Sequence, residues 1–286
     1  MKLRFILILC MGLFAEDCIL IDGQSNAGTS YATYYYSNGL IRSCGTAWSD
    51  TTMSDSAIGP ASGAPAQTHL GAGVWGIELA RKIVSTTNRP LFIINGGWPG
   101  TTIAQHLPSK ALSSFYGRTF WRVNRAGMCG NVKTVYWWQG EAESATSSLT
   151  YLSNFSKLRD GWRVDYPNIQ RVIVIRPKLC TTGSQDTNIL HVINGFPSQF
   201  PDVTVFSVDS FPGWDGCHWS VSGYLAIGDS LYNHFGMGER IESYSTRKTT
   251  ARNIRLCSVN ILGQIQRGPV LASGIIIDGR KIVRVK

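Results

Sequence analysis

A serine near the start of the chain and a histidine near its end have the neighbours that nucleophilic catalysis needs. Ser25 follows an apolar run in the segment ILIDGQSNAG, and His218 ends the turn-rich segment DGCH. A serine hydroxyl is a weak nucleophile until a base removes its proton. Of the five histidines, His218 alone has a carboxylate, that of Asp215, three residues earlier in such a stretch. Asp215 can therefore hold one ring nitrogen while the other faces Ser25, which predicts acyl transfer.

Acyl transfer also requires hydrogen-bond donors for the negative charge that develops on the carbonyl oxygen. The predicted donors are the backbone amide of Ser25, the side-chain amide of Gln139 and one backbone amide of the segment 98–101. These three groups form the predicted oxyanion hole.

Glu141 and Asn26 are predicted to support the site through hydrogen bonds. Glu141 has an alternative role, in which it shares the carboxylate function with Asp215. Support is the favoured interpretation, because Asp215 lies near His218 in the sequence and needs no assumption about folding.

The elements that must position these residues alternate between short apolar runs and helix-like stretches. Five runs are rich in Val, Ile, Phe or Tyr, as buried parallel strands are: Cys18–Asp22, Leu91–Asn95, Val132–Trp138, Arg171–Ile175 and Val203–Val208. Five helices are predicted: Val74–Ser85, Lys110–Ala126, Leu149–Trp162, Asn188–Phe200 and Ser220–His234. The alternation predicts an α/β three-layer sandwich with a mostly parallel five-stranded sheet. Ligands bind beyond the carboxyl ends of such strands, where the candidate residues lie.

Two segments depart from this alternation. Residues 30–67 are rich in Tyr, Ser, Thr and Gly and are predicted to form a long surface loop near the first strand. After residue 238, two further segments have strand-like composition, Ile254–Ile261 and Val270–Val285. The second contains Asp278-Gly279 between β-rich runs, which predicts a hairpin within a small C-terminal β appendage.

The first fifteen residues resemble a secretory signal, with Lys2 and Arg4 before a short apolar run that ends near Ala15. The alternative is a buried N-terminal strand or helix. Six cysteines follow residue 15, enough for three disulfides, and none forms the CxxC pair typical of zinc sites. These features predict a secreted or periplasmic protein without a transmembrane anchor.

The positive charge of the chain is concentrated in its tail. The net charge is +9, and residues 240–286 carry 10 Lys and Arg against 2 Asp and Glu. Such a tail can contact an anionic glycan, a membrane or nucleic acid, of which the glycan is the favoured partner, and a solvated basic face without a partner is the alternative. No nucleic-acid partner is predicted. No metal site is predicted either, since Asp215, Cys217 and His218 lack a second pair of ligands.

Four motifs in order, GQSN, a Gly-Thr-Thr-Ile loop, WWQGE and DGCH, resemble the SGNH-hydrolase superfamily. The branch that residues 18–236 resemble contains sialate O-acetylesterases and carbohydrate esterase family 6. The resemblance implies a flavodoxin-like sheet and a carbohydrate O-acetylesterase that needs no cofactor. It also implies that Ser25 is the nucleophile, His218 the base and Asp215 its orienting acid, and it places Gln139 where the superfamily carries Asn.

The loop at residues 96–102 departs from this family pattern. The family's Gly-Gly-Thr loop donates an amide from its first glycine, and Pro99, which has no N–H, occupies that position here. Either Gly100 supplies the donor or the oxyanion hole has two donors.

The sequence thus predicts residues 1–15 as a signal, 16–238 as an esterase domain and 239–286 as a basic β-rich appendage. The predicted function is removal of O-acetyl groups from a glycan through an acetyl-serine. One alternative is a lipid or thioester hydrolase of the same fold, although the tyrosines of residues 30–67 favour a polar substrate. The other is a catalytically weak glycan-binding module.

Overall fold

Seven strands form one sheet among the described residues of the computed structural model, and the first of them is central. The strands are β1 (Asp17–Gly23), β2 (Ser37–Cys44), β3 (Gly59–Ser62), β4 (Leu91–Asn95), β5 (Val132–Trp138), β6 (Arg171–Arg176) and β7 (Val203–Ser207). Their order is β3-β2-β4-β1-β5-β6-β7, and every neighbouring pair is parallel except β2 and β3. The mostly parallel α/β sheet is confirmed, with seven strands where five were predicted.

The structure describes part of the chain: residues 17–28, 37–44, 59–62, 73–181, 187–235, 275–278 and 281–284. The predicted signal, the predicted strand Ile254–Ile261 and the predicted domain boundary at residue 238 lie outside these ranges. No helix of the described residues is long and apolar enough to cross a bilayer.

The helices lie in two layers because side chains on a strand point alternately to opposite faces of the sheet. The helices are α1 (Ser25–Gly28), α2 (Gly73–Thr87), α3 (Phe115–Arg125), α4 (Ser148–Asp165), α5 (Thr187–Asn194), α6 (Phe196–Gln199) and α7 (Val221–Phe235). Cys18 and Leu20 of β1 belong to the apolar cluster that contains α3, α4 and α5 side chains. Ile19 and Ile21 belong to the cluster that contains α2 and α7 side chains. This arrangement is the predicted three-layer sandwich.

The prediction of a surface loop at residues 30–67 is wrong in part, because β2 and β3 lie within it. Leu40 and Ile41 are the only large aliphatic residues of β2, and Ile41 is buried. A strand near the sheet edge needs little apolar surface, so its composition does not distinguish it from a loop.

Two helix predictions need correction. The helix predicted at Lys110–Ala126 begins only at Phe115, because the Ser114 side chain accepts a hydrogen bond from the Gly117 amide and caps it. The helix predicted at Asn188–Phe200 is divided into α5 and α6, with Gly195 between them and Pro197, which cannot donate to a preceding turn, inside α6.

Contacts between backbone positions divide the chain into a unit of Met1–Ser245 and a second unit of Thr246–Lys286. The second unit contains two short antiparallel strands, β8 (Ile275–Asp278) and β9 (Lys281–Arg284). Asp278 pairs with Lys281, so the connection is the two residues 279 and 280, in agreement with the predicted hairpin.

Gly23 fixes the distance between the end of β1 and the end of β5. Its φ is +133°, and a Cβ atom at this position would lie 2.0 Å from the Trp138 carbonyl oxygen. No side chain can therefore replace its hydrogen without moving backbone that belongs to two central strands.

Gly23→Ala should lower the free energy of unfolding by about 2–5 kcal/mol, since it adds left-handed strain to a steric clash. Urea denaturation checks this. The control is Gly130→Ala, since Gly130 is exposed and its added Cβ would have Asn168 Nδ2, at 3.8 Å, as its nearest neighbour. Equal stability of the two variants would contradict the prediction.

Candidate active site

Ser25 lies where β1 ends and α1 begins, in a turn held by the neighbouring strand. The Gln24 amide donates to the Trp138 carbonyl at 2.9 Å, and the Ala27 amide donates to the Gln24 carbonyl at 3.0 Å. Every residue from 22 to 28 is buried except Ser25, which is partly exposed. The turn thus presents the serine to solvent while its neighbours remain packed.

His218 contacts Ser25 across the edge of the sheet. Its Nε2 atom lies 3.1 Å from the Ser25 Oγ atom, although the two residues are 193 positions apart in the sequence. An imidazole nitrogen at hydrogen-bond distance from a hydroxyl can accept its proton. The structure therefore brings together the serine and the histidine that the sequence singled out.

Asp215 lies in the same turn as His218 and organises its backbone. Its Oδ1 atom accepts hydrogen bonds from the His218 amide at 2.7 Å and the Cys217 amide at 2.9 Å. These donors, that of His218 first, hold the pKa of the Asp215 carboxyl below its usual value. Among the described residues, neither a hydrogen bond nor an ion pair joins this carboxylate to the His218 ring.

Asn26 connects the serine turn to the histidine turn. Its Nδ2 atom donates to Glu141 Oε1 at 2.8 Å and to the Cys217 carbonyl at 3.1 Å. Its Oδ1 atom accepts from the Tyr224 hydroxyl, at the start of α7. Asn26 is fully buried, so all three partners are fixed around one amide.

Glu141 is a buried carboxyl at the end of β5. Burial raises its pKa from 4.5 to about 7, and the hydrogen bond from Asn26 opposes this increase. Its second oxygen, Oε2, has no hydrogen-bond partner among the described residues. The structure thus places Glu141 beside Asn26, the position predicted for a supporting residue.

Gln139 is fully buried and joins two loops. Its Nε2 atom donates to the Thr101 carbonyl at 3.1 Å and to Glu143 Oε1 at 2.6 Å. Both hydrogens of the amide are thereby directed to protein acceptors. The sequence predicted that this amide points to the oxyanion, whereas in this structure it connects the loop after β4 to the loop after β5.

The first amides of the loop after β4 donate hydrogen bonds to acceptors at the sheet edge. The Gly97 amide donates to Asn95 Oδ1 at 2.7 Å, and the Trp98 amide donates to the Gly23 carbonyl at 2.8 Å. Pro99 has no N–H, and Gly100 follows with a φ of +67° in an exposed turn. No hydrogen bond among the described residues uses the Gly100 amide.

A chain of buried polar residues that the sequence analysis did not identify lies under this loop. Asp22 Oδ1 is 3.0 Å from His106 Nδ1, and His106 Nε2 is 2.8 Å from Thr101 Oγ1. Glu143, also missed, accepts from the Ile103 amide at 2.5 Å. An aspartate at the end of a buried apolar strand was a signal that such a partner exists, because a buried charge needs one.

One disulfide lies beside the histidine. Cys180, after β6, is bonded to Cys217, with 4.2 Å between the Cα atoms. Cys18 is buried in the core and Cys129 packs against it. The sequence left the pairing open, and the bond joins the loop after β6 to the residue that precedes His218.

Two tryptophans lie in the loops at this sheet edge. Trp214 is partly exposed and packs on Trp219 with 4.3 Å between ring centroids. Lys178 Nζ lies 5.4 Å from the Trp214 ring. Trp98 stacks on Phe115 at 4.9 Å. Partly exposed aromatic rings of this kind suit the apolar face of a sugar.

Glu141→Gln should remove a decline in stability between pH 4.5 and 7. Because the folded pKa of about 7 exceeds the unfolded value of 4.5, the folded state holds the proton more tightly, and stability falls as pH rises through this window. The wild type should lose about 3 kcal/mol relative to the variant across it.

Urea denaturation of the wild type and Glu141→Gln at several pH values measures the difference in their free energies of unfolding. Groups that titrate in the same way in both proteins do not contribute to this difference. Asp160→Asn is the control, because the Asp160 side chain is exposed, and it should follow the wild type. A constant difference between wild type and Glu141→Gln would show that the Glu141 pKa is not raised.

Comparison with solved structures shows the same fold in proteins of low sequence identity. A protein from Arabidopsis thaliana is 17% identical, with a TM-score of 0.59 over 77% of this chain and 97% of its own. A carbohydrate acetylesterase from Xanthomonas citri is 16% identical, with a TM-score of 0.57 over 78% of this chain and 57% of its own. No curated protein matches the chain.

Residues 15–236 match the family described as carbohydrate esterase, sialic acid-specific acetylesterase. This agrees with the resemblance carried by the GQSN, WWQGE and DGCH motifs. Because the match covers most of the chain, the protein belongs to this family of carbohydrate esterases and is a carboxylic-ester hydrolase.

Proposed function

We propose that this protein removes O-acetyl groups from a glycan, with Ser25 as nucleophile and His218 as base. The observation that carries the proposal is the 3.1 Å distance between Ser25 Oγ and His218 Nε2 at the edge of the sheet. The family match supports an ester of a carbohydrate as the substrate class.

The reaction proceeds through an acetyl-serine. As His218 Nε2 takes the hydroxyl proton, Ser25 Oγ bonds to the acetyl carbonyl carbon. The tetrahedral intermediate then loses the sugar oxygen, which receives the proton from His218. A water molecule gives a proton to His218 and attacks the acetyl-serine. Ser25 leaves with the proton, and acetate is released.

The oxyanion hole of this proposal contains the Ser25 amide, the Gly100 amide and, as a third donor, Gln139. Gly100 is supported by the loop after β4, where the amides of residues 97 and 98 are committed and Pro99 has none. Gln139 contributes only if it exchanges its hydrogen bond to the Thr101 carbonyl for one to the oxyanion.

Asp215 has two roles in the proposed mechanism. Its hydrogen bonds to the Cys217 and His218 amides shape the turn, and its negative charge stabilises the imidazolium that forms during catalysis. Glu141 acts through Asn26 and contributes less to turnover. The substitution Asp215→Asn separates the two roles of Asp215, because asparagine keeps the acceptor oxygen and loses the charge.

Export and substrate contact complete the proposal. A disulfide beside the active site favours an oxidising compartment, in agreement with a signal at residues 1–15. Trp214, with Lys178 beside its ring, is the proposed contact for the sugar. The basic residues 240–286 are proposed to add affinity for anionic glycans.

Ser25→Ala should abolish acetate release from acetylated sialic acids, xylan and p-nitrophenyl acetate, because the variant has no nucleophile. Acetate release and thermal unfolding are measured together, and the unfolding temperature should be unchanged. Ser113→Ala is the matched control, since Ser113 is exposed and should leave the rate unchanged. A fluorophosphonate should label Ser25 alone. A Ser25→Ala variant at wild-type rate refutes the assignment.

Asp215→Asn should lower kcat by about 10²–10⁴-fold without changing stability, because the backbone hydrogen bonds persist and the charge is lost. Asp215→Ala, which also loses the hydrogen bonds, serves as the comparison and should unfold at lower denaturant concentration. Glu141→Gln should cost less activity than Asp215→Asn. The reverse order would assign the catalytic carboxylate to Glu141.

A further inference from the structure

The turn that carries His218 closes on itself. Trp214 and Trp219 form an isolated β-bridge, the Ser220 amide donates to the Gly213 carbonyl at 2.7 Å, and the Asp215 amide donates to the His218 carbonyl at 2.9 Å. These bonds define the shape of the turn. They do not determine where the turn lies relative to Ser25, which belongs to a different strand end.

Two adjacent residues after β6 hold two adjacent residues of this turn. Cys180 is bonded to Cys217, and the Thr181 amide donates to the Gly216 carbonyl at 2.6 Å. The approach is close enough that a Cβ on Gly216, whose φ is +112°, would lie 2.5 Å from Thr181 Oγ1. The loop after β6 is thus a fixed support for the histidine turn.

Asn26 is a second support, through its hydrogen bond to the Cys217 carbonyl. On the other side of His218, Trp219 is buried against Trp138, with 5.5 Å between ring centroids. The disulfide and both hydrogen bonds act on residues 216 and 217, directly before His218. The disulfide is the only covalent bond among these three contacts.

We infer that the Cys180–Cys217 disulfide is a positioning element that holds the His218 imidazole against Ser25, so that esterase activity requires the bond although folding does not. This inference rests on the proposed catalytic roles of both residues. Neither cysteine belongs to the apolar clusters on the two faces of the sheet, so those clusters persist when the bond is opened.

Reduction by a dithiol breaks the bond between the two sulfur atoms. The dithiol supplies two electrons and two protons and becomes a disulfide, while Cys180 and Cys217 become thiols. A displacement of a catalytic group by about 1 Å costs on the order of 10²-fold in rate. We therefore expect dithiothreitol to lower kcat for p-nitrophenyl acetate by about 10–100-fold, with a smaller change in KM.

The test measures kcat, KM, the rate of fluorophosphonate labelling at Ser25 and near-ultraviolet circular dichroism before and after reduction. Labelling should slow in parallel with kcat, the dichroism should persist, and reoxidation should restore both rates. The double variant Cys180→Ser/Cys217→Ser should be folded, slow and indifferent to dithiothreitol. Cys129→Ser, which leaves the disulfide intact, should respond as the wild type does.

Three results would overturn the inference. Reduced protein that remains folded and keeps its kcat would do so, as would a double variant of wild-type rate. Loss of activity together with loss of the dichroism would assign the bond to global stability.

Labelling requires the Ser25–His218 contact but no particular ester, so its dependence on reduction decides the inference even when the ester is a poor substrate. Oxidised protein that labels but hydrolyses no ester would contradict the proposed function alone. Oxidised protein that neither reacts with the fluorophosphonate nor hydrolyses an ester would contradict both the inference and the proposed function.

Discussion

One buried amide, that of Asn26, sets the geometry on which the active site depends. It donates to Glu141 and to the Cys217 carbonyl and accepts from Tyr224, so three segments that are distant in the sequence meet at one side chain. A buried polar group left without its partner costs about 1–3 kcal/mol, which couples the positions of the three segments. The Ser25–His218 distance therefore depends on a residue that need not touch the substrate.

A second constraint lies beneath the loop after β4, where Thr101 Oγ1 is 2.7 Å from the Trp98 carbonyl and 2.8 Å from His106 Nε2. A hydroxyl has one hydrogen to donate. The Thr101 hydroxyl can donate to the Trp98 carbonyl only when it accepts from His106 Nε2, and Asp22 Oδ1 lies 3.0 Å from Nδ1 on the other side of that ring. The conformation of the loop is thus linked to a buried chain of polar residues, Asp22, His106 and Thr101.

The sequence predicted the elements whose pattern is local and strong. The apolar runs located β4 and β5 at their observed bounds, and the turn-rich segments after the strands identified Ser25 and His218. Strands β2 and β3 were not predicted, because β3 is at the edge of the sheet and β2 is next to it, where a strand needs few apolar side chains. The direction of the Gln139 amide and the pairing of Asp22 with His106 could not be predicted, because both depend on which loops meet at the sheet edge. The contact between these loops is determined by the whole fold and cannot be predicted from a local sequence pattern.

The register of β1 has a consequence for how the chain can vary. β1 pairs with β4 on one side and with β5 on the other, and Gly23 fits against the Trp138 carbonyl with no room for a side chain. Insertion of one residue before Gly23 would exchange the two faces of the strand and rotate Ser25 away from His218. The pairing of β1 with both neighbouring strands therefore fixes the length of the interval between the apolar run and the serine.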